Sequence, residues 1–135
     1  MSISDEVVVR SVRPDDYNYI ISSWLRSFAG RSLDAQRYES IAAFYADYQP
    51  VVKDLLARST VSVAALQEDQ SVIVGWSATE GDVLHYVLTK PRWRRLGVAH
   101  ILVPNVSVYS HTTLDWVRTG LGDGAKYRRY RIWPK

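Results

Sequence analysis

The most informative segment of the sequence is Pro91-Arg92-Trp93-Arg94-Arg95-Leu96-Gly97-Val98-Ala99. It follows a strand-like run, Val83 to Thr89, and leads into an apolar run, Gly97 to about Val103, that predicts a helix. Because a helix N-terminus presents unpaired N–H groups and a positive dipole end, such a junction binds anions readily. Glycine at position 97 would let a bulky diphosphate approach the main chain, and the neighbouring arginines would add charge-assisted contacts. The segment therefore predicts a pyrophosphate-binding turn from Arg94 to Ala99.

Three short strand-like runs lie upstream of this turn. They are rich in β-branched residues and are joined by short polar connections, which is typical of an antiparallel meander. The runs are Val61 to Gln67, Val72 to Thr79 and Val83 to Thr89.

The N-terminal part predicts one strand followed by two helices. The strand is expected over Glu6 to Val12, and apolar residues at helical spacing predict a first helix from about Asp15 to Phe28, ended by Gly30. A second helix is expected over Leu33 to Arg58, with a break at Gln49-Pro50 because proline disfavours helical geometry in its predecessor.

The pattern after the basic turn is shorter and more broken. Pro104 is expected to end the apolar helix after about two turns. The remaining residues then predict a strand over Val106 to Ser110, a short helix over His111 to Arg118 and a last strand over Tyr127 to Trp133.

Length and composition bound the class of protein. With 135 residues, 47% of them hydrophobic, the chain suits a single domain over residues 1–135 with one sizeable core. The absence of cysteine excludes disulfides and a thiol nucleophile and favours a cytoplasmic location. No metal is expected, since His85, His100 and His111 lack a known ligand spacing. No membrane contact is expected either, since no apolar run approaches the ~20 residues of a membrane span.

The segment from Pro91 to Ala99 resembles the Arg/Gln-x-x-Gly-x-Gly/Ala signature with which the GNAT superfamily of N-acetyltransferases binds acetyl-CoA. The order of the predicted elements is similar to that family as well. The resemblance implies an α/β (α+β) protein with a GNAT-like fold, in which helices flank a mixed, mostly antiparallel central sheet. The early stop at Pro104 departs from the family and implies a truncated C-terminal part, similar to short acetyltransferase-like proteins of bacteriophages.

The resemblance also assigns the acetyl-CoA site. The pyrophosphate would lie on the turn residues, which are Arg94, Arg95, Leu96, Gly97, Val98 and Ala99. The pantetheine arm and thioester would pair with the end of the preceding strand at Val87, Leu88 and Thr89. A main-chain N–H near Leu88 would then polarise the thioester carbonyl.

A histidine on the strand before the motif is the candidate base. Transfer needs a neutral amine, because an ammonium has no lone pair for attack, and His85 resembles a catalytic histidine of the arylalkylamine N-acetyltransferases. The alternative is that His85 is a core or surface histidine with a structural hydrogen bond. Val83 occupies the position at which many GNAT protein acetyltransferases carry a glutamate base, so the resemblance does not imply their glutamate-based mechanism for this chain.

A tyrosine is the expected acid that protonates the departing CoA thiolate. Tyr127 and Tyr130 are favoured because they follow a glycine-rich loop, and Tyr109 is a further candidate. Glu80, at the end of a predicted strand, is an alternative contact for the substrate amine.

These features predict an acetyl-CoA-dependent N-acetyltransferase that acts on a primary amine, either a small molecule or a protein lysine, by direct attack on the thioester. One alternative is a non-catalytic CoA-binding protein on the same scaffold. Another is a nucleic-acid-binding protein that uses the basic and aromatic residues 126–135, although strand alternation would divide those side chains between two faces. Nucleic acid is therefore not the favoured partner, and a homodimer is left open.

Overall fold

One mixed β-sheet organises the computed structural model, which describes residues 5–31, 38–103, 108–111 and 126–127. Its six strands are β1 Val7–Ser11, β2 Thr60–Leu66, β3 Ile73–Glu80, β4 Val83–Thr89, β5 Val108–Tyr109 and β6 Lys126–Tyr127. They lie side by side in the order of the chain. The first four strands are antiparallel, whereas β4 pairs in parallel with β5, and β5 in parallel with β6. The predicted meander and the mostly antiparallel sheet are confirmed.

Helices cover both faces of this sheet. They are α1 Tyr17–Arg31, α2 Ile41–Arg58 and α3 Val98–Leu102, with short 3₁₀ turns at Pro14–Asp16 and Pro91–Trp93. The larger hydrophobic core joins α1 and α2 to one face of the sheet around Trp24 and Trp76, both fully buried. A smaller core joins α3 to the opposite face. The predicted α+β architecture with flanking helices is confirmed.

The predicted break at Gln49-Pro50 is wrong, because α2 continues through Pro50 to Arg58. Pro50 removes one intrahelical donor, yet Pro50 and Ala46, the residue whose carbonyl loses its partner, are exposed, so water can replace that bond. The opposite face of α2 is buried, and each such side chain contributes about 1.5–3 kcal/mol. Those side chains are Phe44, Val52, Leu55 and Leu56.

The expected end of the first helix at Gly30 is also wrong, since α1 runs one residue further, to Arg31. A Cβ placed on Gly30 would meet nothing within 4 Å, so the glycine fills an exposed helical position and has no packing role there. Glycine weakens a helix interior by only about 1 kcal/mol, and α1 tolerates this because its apolar face is buried.

A β-bulge in β4 changes which backbone groups face which neighbour. The register pairs Ala78 with Tyr86 and Thr79 with Leu84, so His85 is the extra residue on β4. Such an insertion reverses the alternation of the strand and bends it. The bulge therefore separates the part of β4 that pairs with β5 from the part that leads into the basic turn.

Gly75 in β3 sets the distance between the sheet and α3. A Cβ at Gly75 would lie 2.7 Å from the carbonyl oxygen of Leu88, 3.2 Å from Leu102 Cδ1 and 3.3 Å from Val98 Cγ1. Only glycine leaves room for this approach, and Val98 and Leu102 are accordingly buried. The position of the basic turn, which precedes Val98, therefore depends on this contact.

The C-terminal predictions are only partly covered. The strand expected over Val106 to Ser110 is confirmed as the shorter β5, and the last strand is seen at Lys126–Tyr127. The helix expected over His111 to Arg118, the rest of the strand to Trp133 and the truncated C-terminal part lie outside the described residues, apart from His111. No helix in the described ranges is long and apolar enough to cross a membrane.

Candidate active site

The basic turn has an unusual backbone conformation at two positions. Arg95 has φ 66° and Gly97 has φ 92°, both in the left-handed region. Glycine adopts this region freely, whereas a residue with a side chain does so at a cost of about 1–3 kcal/mol and mostly at turns and ligand-binding sites. Arg94, Arg95 and Leu96 are exposed. The turn is thus a strained, solvent-facing loop with two cationic side chains.

Most main-chain donors of this turn have no acceptor within the described part of the chain. Arg94 N donates to Pro91 O at 3.3 Å, and Ile101 N donates to Gly97 O at 3.2 Å. Between these two, no hydrogen bond joins the N–H groups of residues 96–99 to another part of the described chain. The helix that follows has only five residues, Val98–Leu102, and is shorter than the predicted run to Val103. A diphosphate would therefore meet the N–H groups of the turn and two arginines, with little help from a helix dipole.

The end of β4 provides an open edge beside the turn. Within the described residues, pairing between β4 and β5 is confined to Val83 with Val108 and Leu84 with Tyr109. Beyond the bulge, the half-buried residues Val87 to Thr89 pair only with β3 among the described strands. We call the side of Val87 to Thr89 that faces away from β3 the open edge.

The alternation of the ladder decides which N–H groups face the open edge. Lys90 N donates to Val74 O at 2.8 Å, and hydrogen-bonded pairs alternate along an antiparallel ladder. The backbone N–H and C=O groups of Leu88 therefore face its partner Trp76 on β3. The backbone groups of Val87 and Thr89 face the open edge. The N–H groups near Leu88 that face the open edge therefore belong to these two neighbours, whereas the backbone of Leu88 pairs within the sheet. The thioester contact expected near Leu88 stays a prediction.

Arg94 joins the turn to this edge. Its Nε donates to the outward-facing carbonyl oxygen of Thr89 at 3.1 Å. The predicted pyrophosphate segment and the predicted thioester segment therefore lie next to each other. The structure brings together all nine predicted cofactor residues on one continuous piece of chain that begins at the open edge.

The side chain of His85 is buried between two polar partners, with 1% of the residue exposed. Its Nδ1 lies 2.7 Å from Ser110 Oγ, and its Nε2 lies 2.7 Å from Glu80 Oε1. Because both ring nitrogens are engaged, His85 cannot take a proton directly from an amine without breaking one of these bonds. Its role as base stays a prediction, and the geometry restricts it to an indirect form.

The hydrogen bonds continue beyond His85 into the core. Ser110 Oγ lies 2.8 Å from His111 Nδ1, and His111 Nε2 is hydrogen-bonded to the hydroxyl of Tyr48. The rings of Phe28, Tyr86 and Trp24 pack around His111. We call the five linked side chains the histidine chain: Tyr48, His111, Ser110, His85 and Glu80. Sequence reasoning missed three of them, Tyr48, Ser110 and His111, because no local motif links α2 with the residues that follow β5.

Glu80 is the outer end of the histidine chain. Its Oε1 also accepts from Arg58 Nη1 at 3.0 Å, and its side chain is 36% exposed. The hydrogen bond from His85 lowers the pKa of Glu80 most, with the positive charge of Arg58 acting in the same direction against partial burial. Arg58 is also paired with Asp54, at 3.1 Å. Glu80 is thus an ionised carboxylate at neutral pH and is committed to its two protein partners.

The two favoured acid candidates are not positioned by the structure. The backbone of Tyr127 belongs to β6 and pairs with Tyr109, whereas the side chain of Tyr127 and the whole of Tyr130 lie outside the described residues. Both stay predictions. Tyr109 is described, is half-buried and pairs with Leu84 on the other side of β5.

Comparison with known sequences gives no match: neither a protein-family model nor a curated protein sequence is similar enough to be recognised. Solved structures do match. The apo form of YjaB from Escherichia coli has a TM-score of 0.51 at 20% identity, over 71% of this chain and 60% of that one. A GCN5-related N-acetyltransferase from Rhodopseudomonas palustris has a TM-score of 0.50 at 22% identity, over 72% of this chain and 61% of that one.

A third match is similar in extent. The structure described as histone acetyltransferase HPA2 and related acetyltransferase from Corynebacterium glutamicum has a TM-score of 0.54 at 17% identity, over 72% of this chain and 67% of that one. The chain spans about three fifths of the length of the first two of these proteins. At such low identity the likeness concerns the fold, and it agrees with the resemblance that the turn from Arg94 to Ala99 predicts. The chain therefore has the fold of the GCN5-related N-acetyltransferases, the GNAT superfamily.

Proposed function

We propose that this chain is an acetyl-CoA-dependent N-acetyltransferase that transfers the acetyl group to a primary amine by direct attack on the thioester. The observation that carries the proposal is the continuity of two features. A strained turn with exposed arginines begins five residues after the open edge of β4 ends, and Arg94 binds that edge. The N–H groups of residues 96–99 in this turn have no acceptor among the described residues. A ligand with a diphosphate at one end and an amide-containing arm at the other would be complementary to this arrangement.

The proposed contacts divide between the two features. The N–H groups of residues 96–99, with Arg94 and Arg95, would bind the pyrophosphate. The outward backbone groups of Val87 and Thr89 would pair with the arm, and one of their N–H groups would donate to the thioester carbonyl, where negative charge develops during attack. Leu88 would act by keeping these two groups in register.

The chemistry requires two proton movements. An alkylammonium must first lose one proton, after which the amine nitrogen attacks the thioester carbon and the C–S bond breaks. The sulfur keeps the electron pair and takes the second proton lost by nitrogen. Tyr127 or Tyr130 would pass this proton on, giving its own hydroxyl proton to sulfur and taking up the one from nitrogen. In the proposal, His85 takes part in removing the first proton.

Calorimetry and thiol release test the proposal on the full chain. We expect acetyl-CoA and CoA to bind, and thiol to be released from acetyl-CoA with at least one member of a panel of alkylamines and lysine peptides. Gly97→Glu should abolish binding, because the side chain and its charge would occupy the phosphate position. Gly81→Glu is the matched control, since Gly81 also has a positive φ, 60°, in open space but lies in the β3–β4 turn.

The alternatives correspond to other outcomes. Binding of acetyl-CoA without thiol release to any acceptor would indicate a non-catalytic CoA-binding protein. Tight oligonucleotide binding that weakens steeply with salt, without CoA binding, would favour a nucleic-acid interface over residues 126–135. Within the same proposal, residues 1–135 act as one acyltransferase domain in the cytoplasm, and sedimentation would decide between monomer and homodimer.

A further inference from the structure

The donor and the acceptor of each hydrogen bond in the histidine chain can be assigned, starting from Glu80. An ionised carboxylate only accepts hydrogen bonds, so Glu80 requires a proton on His85 Nε2. When His85 is neutral its Nδ1 accepts, and among the described residues the hydroxyl of Ser110 is the donor within hydrogen-bond distance. Because the single hydroxyl proton of Ser110 is used in this bond, its oxygen accepts from His111 Nδ1. His111 Nε2 is then left to accept from the hydroxyl of Tyr48. Each of the four hydrogen bonds thus points toward Glu80.

The histidine chain runs from the partly exposed Glu80 through a buried middle to its inner end at the half-buried Tyr48. In the middle, Ser110 is fully buried and His111 is 5% exposed. The ring of His111 lies 5.9 Å from the ring of Tyr86, centroid to centroid. Tyr86 immediately precedes Val87, the first residue of the open edge. The ring of His111 therefore packs against the residue that precedes the open edge, along which the proposed function places the thioester, and Tyr48 is hydrogen-bonded to His111.

We propose that the histidine chain carries a proton from the acceptor ammonium to solvent at Glu80, an inference that rests on the proposed N-acetyltransferase function. The ammonium gives one proton to the Tyr48 end, each member passes its own proton to the next, and Glu80 releases one proton to water. The neutral amine forms the new C–N bond, the C–S bond breaks, and the second proton of the nitrogen goes to sulfur. The overall products are one amide, one thiol and one released proton.

The direction of the chain can be measured without any turnover. Nitrogen NMR of the full protein at neutral pH should show His85 protonated on Nε2 and His111 protonated on Nδ1. The chain has only three histidines, so His85→Gln and His111→Gln assign the signals, and the exposed His100 serves as the internal reference. A proton on Nε2 of His111 at neutral pH would reverse the last bond and overturn the relay.

A comparison of two amine acceptors tests whether the histidine chain transfers a proton during the reaction. Ser110→Ala removes the central hydroxyl. For an alkylamine, which is an ammonium at neutral pH, we expect the single-turnover rate to fall about tenfold or more, as for loss of general-base assistance. For an arylamine, which is already neutral, the same variant should lose less than about twofold. The loss with the alkylamine should shrink as the pH approaches the amine pKa of about 10.

Ser23→Ala is the matched control. Ser23 is also a buried serine in the aromatic core, where its Oγ accepts from Trp76 Nε1 at 3.0 Å, but it is not part of the histidine chain. In this control variant, the single-turnover rates with the alkylamine and with the arylamine should fall to the same small extent. An equal loss with alkylamine and arylamine in Ser110→Ala would mean that Ser110 only supports the structure, and it would overturn the proposal.

A second variant covers the case in which Ser110→Ala does not fold. Glu80→Gln changes the exposed end, where an amide cannot accept the proton, and it should show the same selective loss with the alkylamine. Acetyl-CoA binding, measured by calorimetry, should stay within about twofold of wild type in both variants. If the wild type neither binds acetyl-CoA nor acetylates an amine, the proposed function fails and the relay with it. If it acetylates both amines and neither variant discriminates between them, only the relay is wrong.

Discussion

A Cβ added to Gly75 would lie 2.7 Å from the carbonyl oxygen of Leu88, closer than any real Cβ contact. Because the obstacle is backbone, the strand cannot relieve the clash by moving a side chain. Gly75→Ala should therefore lower the free energy of unfolding by about 1–3 kcal/mol, as overpacking does, and weaken acetyl-CoA binding by displacing α3 and the turn before it. Urea unfolding and calorimetry measure the two effects.

Gly30→Ala is the control for this prediction. Gly30 lies inside α1, and a Cβ there meets nothing within 4 Å, so alanine should raise the free energy of unfolding by about 0.5–1 kcal/mol through its helix propensity. If Gly75→Ala were as stable as wild type, α3 would not depend on the close approach to β3.

Asp16 forms an ion pair with Arg10 that holds the start of α1 against β1. The Oδ2 atom lies 2.8 Å from Arg10 Nη1 and accepts from Arg13 N at 2.7 Å, and both charged side chains are nearly buried. Asp16→Asn should lower the free energy of unfolding by about 3 kcal/mol, because it leaves the guanidinium without a counter-charge. Asp15→Asn, on the neighbouring exposed residue, should change it by less than about 0.5 kcal/mol.

The same ion pair predicts how stability depends on pH. The hydrogen bond from Arg10 lowers the pKa of Asp16 most, so the folded state keeps the carboxylate ionised to lower pH than the unfolded chain does. The stabilisation is therefore complete above the ordinary value of 3.8 and is lost as the pH falls through the lower folded-state pKa. Urea unfolding on the acid side should show a steeper decline for wild type than for Asp16→Asn. Parallel declines would contradict this role.

The fold was predictable because its signals are local. The meander over β2, β3 and β4 follows from short β-branched runs separated by polar turns, and the basic turn follows from the motif at Arg94 to Ala99. The histidine chain was not predictable, since Tyr48 and His111 are 63 residues apart and meet only through the parallel pairing of β5 with β4. The outward direction of Val87 and Thr89 was also hidden, because it depends on the bulge at His85.

The left-handed backbone of Arg95 predicts opposite effects on stability and binding. Arg95→Gly should raise the free energy of unfolding by up to about 1 kcal/mol, because glycine adopts φ 66° without strain. It should also weaken acetyl-CoA binding, because a cation next to the phosphate position is removed. Arg95→Lys keeps both the charge and the strain, so its stability should match wild type. A variant Arg95→Gly less stable than Arg95→Lys would show that the conformation is unstrained.

Pro50 interrupts the hydrogen bonds of α2 on its exposed side, and replacement should therefore strengthen the helix. Pro50→Ala restores the donor to the carbonyl of Ala46, and we expect the free energy of unfolding to rise by about 1–3 kcal/mol, less than the full cost of an internal proline because the helix has already adapted. Gln49→Ala, also exposed, should change it by less than about 0.5 kcal/mol. Urea unfolding of the three proteins measures the difference. If Pro50→Ala is destabilising, the proline contributes more by restricting the unfolded chain than it costs in the folded helix, and the buried face of α2 alone does not explain why the helix continues through it.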